Sequence, residues 1–417
     1  MTGRRLGPWL LPIVLRAGPV YRRTLGRRIR IVAVVGSVGK TTTMRTVSAA
    51  LGVRVRRPAL LNQNSPTGVS RALLSARPWQ HHAVVEAGID GPGQMRRHAA
   101  RMRPNIVVVT AIARDHWQSL PTIEITRDEK ADMVRALPPT AVVVLNADDP
   151  NVRWIGTQTR ARVVLVGEAE DADVRATEVE LDWPRGMRFI AHVGGDAHRV
   201  RVQLLGRHMV FPALAAIAVA QIESIPLDSV VTALASVEPT PGRMQTLVLA
   251  NGAVVIRDDF KGTTDALSAA LDTLASTPAR RRIAVLGGIS ETTGRDDYRA
   301  AGRRTGAVVD RAIFVGTSTE AQLYRAGAVS AGLARDRIDH VHHANEAVEL
   351  LREELTEGDV VLIRGRWQQA LGRVGLALAD RNVQCRADPC PMKRMLCDIC
   401  PMLELPFTGL PGGAQPD

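Results

Sequence analysis

The run Ile31–Val35, Gly36-Ser37-Val38-Gly39-Lys40-Thr41 and Thr42–Leu51 constrains this chain most. An apolar β-branched strand enters a glycine-containing loop that ends in Lys-Thr, and a helix-forming stretch follows at once. Glycines let successive backbone N–H groups converge on phosphate oxygens. Lys40 neutralises the β- and γ-phosphates, and Thr41 offers a hydroxyl to Mg²⁺. ATP and Mg²⁺ are therefore the expected cofactors, held by Gly36, Ser37, Gly39, Lys40, Thr41 and Thr42. The strict phosphate-loop pattern wants a glycine where Val34 stands, so the general motif fits incompletely.

Apolar strand-like runs alternate with helix-like stretches on both sides of this loop, the pattern of a mostly parallel α/β sheet. Expected strands are 29–35, 83–86, 105–110, 141–145 and 163–166, then 253–256, 282–286, 312–315 and 360–363. Residues 206–222 read as an Ala-rich helix. Pro239-Thr240-Pro241-Gly242 reads as a linker. At 417 residues the chain is too long for one ordinary domain. We place a basic, apolar leader at 1–28, an ATP-binding domain with a central parallel sheet at 29–238, a smaller Rossmann-like α/β domain at 239–383 and a Cys-rich tail at 384–417.

The net charge of +12 is unevenly spread. Arg4, Arg5, Arg16, Arg22, Arg23, Arg27, Arg28 and Arg30 fall in the first thirty residues with no acid among them, which accounts for eight of the twelve charges. The remainder is only mildly basic, so no nucleic-acid surface is expected. The apolar run Leu6–Leu15 is far shorter than the roughly 20 residues that span a bilayer. No small-residue cleavage site follows it. Two readings stand for the leader: a helix packed on the body, or an anchor on anionic lipid. The expected location is the cytoplasm, with the membrane surface as the second reading.

Further chemistry-bearing residues follow in order. Glu86 closes the strand His82-Ala83-Val84-Val85-Glu86, where a carboxylate at a carboxyl edge can hold Mg²⁺ beside phosphates. Asp115-His116 follows the strand at 106–110, and Glu129-Lys130 lies fourteen residues beyond His116. Taken singly, Glu86, His116 and Lys130 would be solvated surface groups by default.

Taken together these features resemble the Mur ligase family, the ATP-dependent amide ligases that build the peptidoglycan stem peptide. The family's GTxGKTT loop corresponds to Gly36–Thr42, and its NxNNxxGxP stretch to Asn62-Gln63-Asn64-Ser65-Pro66-Thr67-Gly68. Its magnesium glutamate corresponds to Glu86, and its NADDP turn to Asn146-Ala147-Asp148-Asp149-Pro150. Its PGR corresponds to Pro241-Gly242-Arg243, and its ribose-binding aspartate to Asp259. Its GDVVLVKGS corresponds to Gly358–Arg366. Gly88, followed by Gly91-Pro92-Gly93, is most like the ligase that adds D-alanyl-D-alanine.

The resemblance implies catalytic roles for Lys40, His116, Lys130 (carbamylated) and Arg243. It implies nucleotide contacts from His208 and Asp259, Mg²⁺ ligation by Thr41, Glu86, His116 and Lys130, and substrate contacts from Asn62, Asn64 and Arg364. The implied reaction activates a carboxylate as an acyl phosphate, which an amine then displaces; the substrates are small-molecule or lipid-linked. Three departures qualify this. The domain that grips the UDP-sugar, placed ahead of the loop in the stem-peptide ligases, is expected to be absent. The adenine-contacting GxHNxxN is Gly206-Arg207-His208-Met209-Val210-Phe211-Pro212, without either asparagine. The family's KGS is Arg364-Gly365-Arg366. Two alternatives stay open: an amidating subunit paired with a glutaminase partner protein, and a non-catalytic ATP-binding assembly protein.

All four cysteines, Cys385, Cys390, Cys397 and Cys400, lie within sixteen residues with the spacing C-x4-C-x6-C-x2-C. Four thiolates at that spacing suit tetrahedral Zn²⁺ or an iron–sulfur cluster. Free thiols or disulfides are the plainer reading, although disulfides suit oxidising compartments.

Overall fold

The computed structural model describes residues 11–54, 65–114, 118–260, 262–290, 292, 294–392 and 395–408. Asn62, Asn64 and His116 lie outside the described residues. The chain divides into two compact units, one of residues 1–179, 188–202 and 209–237, the other of residues 180–187, 203–208 and 238–417.

The first unit opens with helix α1 (Leu11–Arg23), strand β1 (Arg30–Val35), α2 (Lys40–Ala50), α3 (Pro66–Ser75), β2 (His82–Glu86), α4 (Gln94–Met102) and β3 (Ile106–Val109). It continues through α5 (Ile123–Arg135), β4 (Val142–Asn146), α6 (Pro150–Gly156), β5 (Arg162–Gly167), β6 (Val174–Asp182), β7 (Gly186–Val193), β8 (Asp196–Val202), α7 (Val210–Ile222) and α8 (Leu227–Ala235). The sheet order is β2-β1-β3-β4-β5-β6-β7-β8. Strands β1 to β5 are parallel, and β6 continues parallel to β5.

Strand β1 is buried from Ile31 to Val35, as a strand covered on both faces must be. Helix starts follow local chemistry. Ser65 caps α3 by accepting from the Gly68 N–H, with Pro66 next. Thr122 caps α5. Asp149 caps α6 ahead of Pro150. The expected strands of this unit all form, and β6–β8 form in addition.

The leader segment becomes α1 and packs on the body. Gly18 lies against Ser70 so closely that a Cβ would come within 2.8 Å of it. Arg22 is buried and donates to the carbonyls of Met102 (2.8 Å), Gly26 (2.8 Å) and Arg103 (3.0 Å). Leu11, Ile13 and Val20 remain exposed on the outer face. No helix among the described residues is long and apolar enough to cross a membrane.

The second unit holds β9 (Gln245–Val248), β10 (Val254–Arg257), α9 (Thr264–Ala275), β11 (Arg281–Leu286), α10 (Arg295–Gly306), β12 (Arg311–Val315), α11 (Ser318–Ser330), β13 (Ile338–Val341), α12 (Ala344–Arg352), β14 (Asp359–Arg364) and α13 (Gly372–Leu378). Its sheet order is β13-β12-β11-β14-β10-β9, parallel except for the antiparallel edge strand β9. Val255, Ile283, Val285, Ile313, Val361 and Ile363 anchor its core. Residues 384–408 pack onto this unit: the Gln384 and Cys385 N–H groups donate to the Leu403 carbonyl, and the Cys390 N–H donates to the Gln368 carbonyl at 2.7 Å.

Candidate active site

Strand β1 has β2 on one side and β3 on the other, so the chain reverses its winding there. Such a reversal opens a crevice at the carboxyl ends of the strands. The phosphate loop occupies that end. Gly36 has φ +141°, and a Cβ there would come within 2.0 Å of the Thr110 hydroxyl oxygen. Gly39, at φ +80°, starts α2 in the left-handed region. Thr110 Oγ1 reaches the carbonyls of Val35 (3.2 Å) and Val38 (2.5 Å), and so ties the end of β3 to the loop. The Ser37 N–H donates to the Ala111 carbonyl at 2.7 Å, and its hydroxyl donates to the Ala113 carbonyl at 3.0 Å.

Lys40 is buried and folds back along the loop, donating from Nζ to the carbonyls of Gly36 and Ser37, both at 2.8 Å. Thr41 Oγ1 donates to Glu86 Oε2 at 2.9 Å. Two oxygen-bearing side chains thus converge from α2 and β2 beside the loop. A hydroxyl and a carboxylate are hard donors of the kind Mg²⁺ prefers, so the donor set fits the ion. Thr42 and Thr43, in the first turn of α2, are buried.

Lys130 is 1% exposed on α5. Its neighbour Glu129 turns away to accept from the N–H groups of Gly93 (2.8 Å) and Met95 (2.9 Å), and so holds the start of α4. Asp149 works in two directions. One oxygen caps α6, and the other accepts from the Ile112 N–H at 2.8 Å, which binds the NADDP turn to the segment after β3. These two carboxylates brace the segments around the site.

In the second unit the Pro241-Gly242-Arg243 turn stacks on the end of β10. The Gly242 carbonyl accepts from the Phe260 N–H at 3.1 Å, and the Arg243 guanidinium lies 4.8 Å from the Phe260 ring centre. Asp259 is 8% exposed and is held by Arg257 Nε at 3.2 Å. A side chain at Gly372 would strike it, since a Cβ would come within 2.5 Å of Asp259 Oδ2. His208 lies in the short turn Arg207–Met209, where Arg364 and Asp272 are the charged groups that act on it. Arg364, expected to face substrate, is instead 3% exposed. It donates to the Thr263 carbonyl at 3.1 Å and pairs with Asp258, because a guanidinium at the buried end of β14 must find acceptors inside.

The cysteines do come together. All four line one small cavity. Among the described residues, however, no group of three or more His, Cys, Asp or Glu side chains is set to hold a metal ion. That applies to the expected Zn²⁺ or iron–sulfur site. Burial pushes the thiols of Cys390 and Cys400 up and that of Cys397 up to about 12, which is unlike a reactive thiol.

Residues 34–220 match the Mur ligase middle domain, and residues 242–367 match the Mur ligase, glutamate ligase domain. The UDP-N-acetylmuramoyl-tripeptide–D-alanyl-D-alanine ligase of Mycobacterium tuberculosis is 32% identical over 84% of this chain and 73% of its own length. The chain belongs to the Mur ligase family. The corresponding Escherichia coli ligase is 26% identical over 70% of this chain and 66% of its own length. Among solved structures, MurF from Acinetobacter baumannii aligns with a TM-score of 0.77 at 22% identity, covering 88% of this chain and 80% of that one. MurF from Thermotoga maritima in complex with ADP aligns at 0.73 with 18% identity, covering 91% and 86%. The mixed α/β fold with two sheet-based units is thus that of the Mur ligases, and the chain is an ATP-dependent ligase of MurF-like type.

Proposed function

We propose that this Mur ligase joins the carboxylate of a cell-wall peptide precursor, or a related peptide acid, to the amine of an amino acid or dipeptide such as D-alanyl-D-alanine. The observation that carries the reading is the loop itself, with Lys40 folded on the Gly36 and Ser37 carbonyls while Thr41 meets Glu86 at 2.9 Å. A carboxylate oxygen attacks the γ-phosphorus, the bond from that phosphorus to the bridging oxygen breaks, and ADP leaves. The amine nitrogen then adds to the acyl carbon, phosphate departs, and the nitrogen loses a proton as the amide forms.

Lys40 and the N–H groups of the loop take up negative charge that builds on the phosphates. Thr41 and Glu86 would hold Mg²⁺, together with His116 and carbamylated Lys130, and the ion would supply further charge neutralisation. Arg243 is assigned to the γ-phosphate, Asp259 to the ribose and His208 to the base. Asn62 and Asn64 are assigned to substrate, and Arg364 enters through the Asp258–Thr263 segment that it braces. The enzyme works in the cytoplasm on soluble or lipid-linked precursors. The exposed Leu11, Ile13 and Val20 beside Arg16 and Arg23 suit an anionic membrane surface. The test is ADP release from ATP across a panel of carboxylates and amines. Release that requires one member of each class, and is lost in Lys40→Met, supports the reading. ATP binding with no release from any pair overturns it.

A further inference from the structure

We propose that Cys385, Cys390, Cys397 and Cys400 take up one zinc ion, and that this ion fixes Asp398 against Arg257 so that Asp259 keeps its place. The second half rests on the assignment of Asp259 to the ribose. The first half stands without it.

The four thiols share a cavity of about 10 Å³, roughly the volume one water-sized sphere occupies. That space is of the order a single ion needs.

A cation stands beside the cluster as well. Arg373 is 5% exposed, with Nη1 at 3.7 Å from Cys385 Sγ and 2.9 Å from the Cys385 carbonyl, and Nη2 at 2.9 Å from the Ala387 carbonyl. Four thiolates on Zn²⁺ carry a net charge of −2, and a buried guanidinium offsets part of it. The same guanidinium also donates to the Ala370 carbonyl at 3.2 Å and the Gln369 carbonyl at 3.1 Å, so the backbone holds it in place beside the thiols. The thiols do not close on a common point as they stand, so uptake draws them inward.

The link to the nucleotide side is direct. Asp398 sits between Cys397 and Cys400 in a tight turn, Cys397–Ile399. Both of its oxygens accept from Arg257, from Nη1 at 2.7 Å and from Nη2 at 3.0 Å. Arg257 is fully buried, and its Nε holds Asp259 Oδ1 at 3.2 Å. A guanidinium fixed on one side by a metal-anchored carboxylate fixes the carboxylate on its other side. Asp398 and Arg257 are positioning residues in this scheme.

The experiment uses the full chain purified anaerobically. We expect about one zinc per chain by elemental analysis, four thiols protected from alkylation, and loss of both the zinc and the protection when a strong chelator is added. Chain that lacks zinc, takes up none when Zn²⁺ is supplied and shows four alkylatable thiols overturns the site; so do two disulfides. For the coupling, Asp398→Asn should keep its zinc and bind ADP about tenfold more weakly, the loss expected for a charged hydrogen-bonded partner. It should bind 2′,3′-dideoxy-ADP as the parent does, because the effect passes through the ribose. Equal weakening of both nucleotides, or of neither, overturns the coupling and leaves the zinc site standing. Failure of the unaltered chain to bind ADP at all would instead count against the nucleotide assignment.

Discussion

Thr41 Oγ1 donates to Glu86 Oε2 at 2.9 Å, which locks the first turn of α2 to the carboxyl end of β2. Removing the carboxylate charge leaves the shape and deletes the anion. Glu86→Gln is expected to fold normally and to lose on the order of 10²–10³ in kcat, as when one preorganised electrostatic partner is removed. Its Mg²⁺ requirement should rise as well. Steady-state ADP release across a Mg²⁺ titration reads both, and parental kinetics would remove Glu86 from the ion's surroundings.

Gly36 is predicted to tolerate no side chain. Its φ of +141° disfavours L-residues, and a Cβ would overlap the Thr110 hydroxyl. Gly36→Ala should lower stability by about 1–3 kcal/mol through strain and displacement of Thr110. Gly52→Ala, at φ +64° but with open space around it, is the control that carries backbone strain alone. Thermal melts that show the two variants equally destabilised would refute the steric part.

Arg22 satisfies carbonyls at three places in the first unit. Arg22→Ala strands those acceptors in a buried setting and should cost about 2–4 kcal/mol. Arg22→Lys should recover only a fraction, since one ammonium cannot fork as a guanidinium does. Urea denaturation of the three proteins decides the matter.

Asp359 contributes a pH dependence to the stability of the second unit. Burial acts to raise its carboxyl, but hydrogen bonds from Arg281, the Thr356 N–H and Arg280 outweigh it and hold the group down at about 2. The folded value lies below the unfolded one, so the stabilisation is present above about pH 4 and is lost as pH falls toward 2. Asp359→Asn should therefore be less stable than the parent by about 2 kcal/mol at neutral pH, with the gap closing between pH 4 and 2. A gap that persists at pH 2 would assign the effect to packing.

The parallel core strands were legible because they are buried on both faces and read as unbroken Val, Ile and Ala runs. Strands β6–β8 were not. Val174-Arg175-Ala176-Thr177 and Val179-Glu180-Leu181-Asp182 each alternate apolar and polar residues, but Glu178 between them breaks the period, and the charge-rich run passes for a loop. The phosphate loop was legible down to single residues, since glycine and lysine there answer to local backbone and charge. Asp398 was not, because its partner Arg257 lies 141 residues earlier and no local pattern couples them. A charged residue closing the buried strand Val254–Arg257 was the one available hint. Arg364 was assigned to substrate from its place in the segment that resembles GDVVLVKGS, and a motif position does not reveal that a side chain is buried.

Arg30, the first residue of β1, is bonded to Glu223 across 193 residues of chain, and His82 of β2 bonds to the same carboxylate. At a synthesis rate of about 5–20 residues per second, Arg30 waits roughly 10–40 s on the ribosome for its partner to be made. The ion pair that ties β1 and β2 to the end of α7 is thus completed long after the two strands themselves have been made.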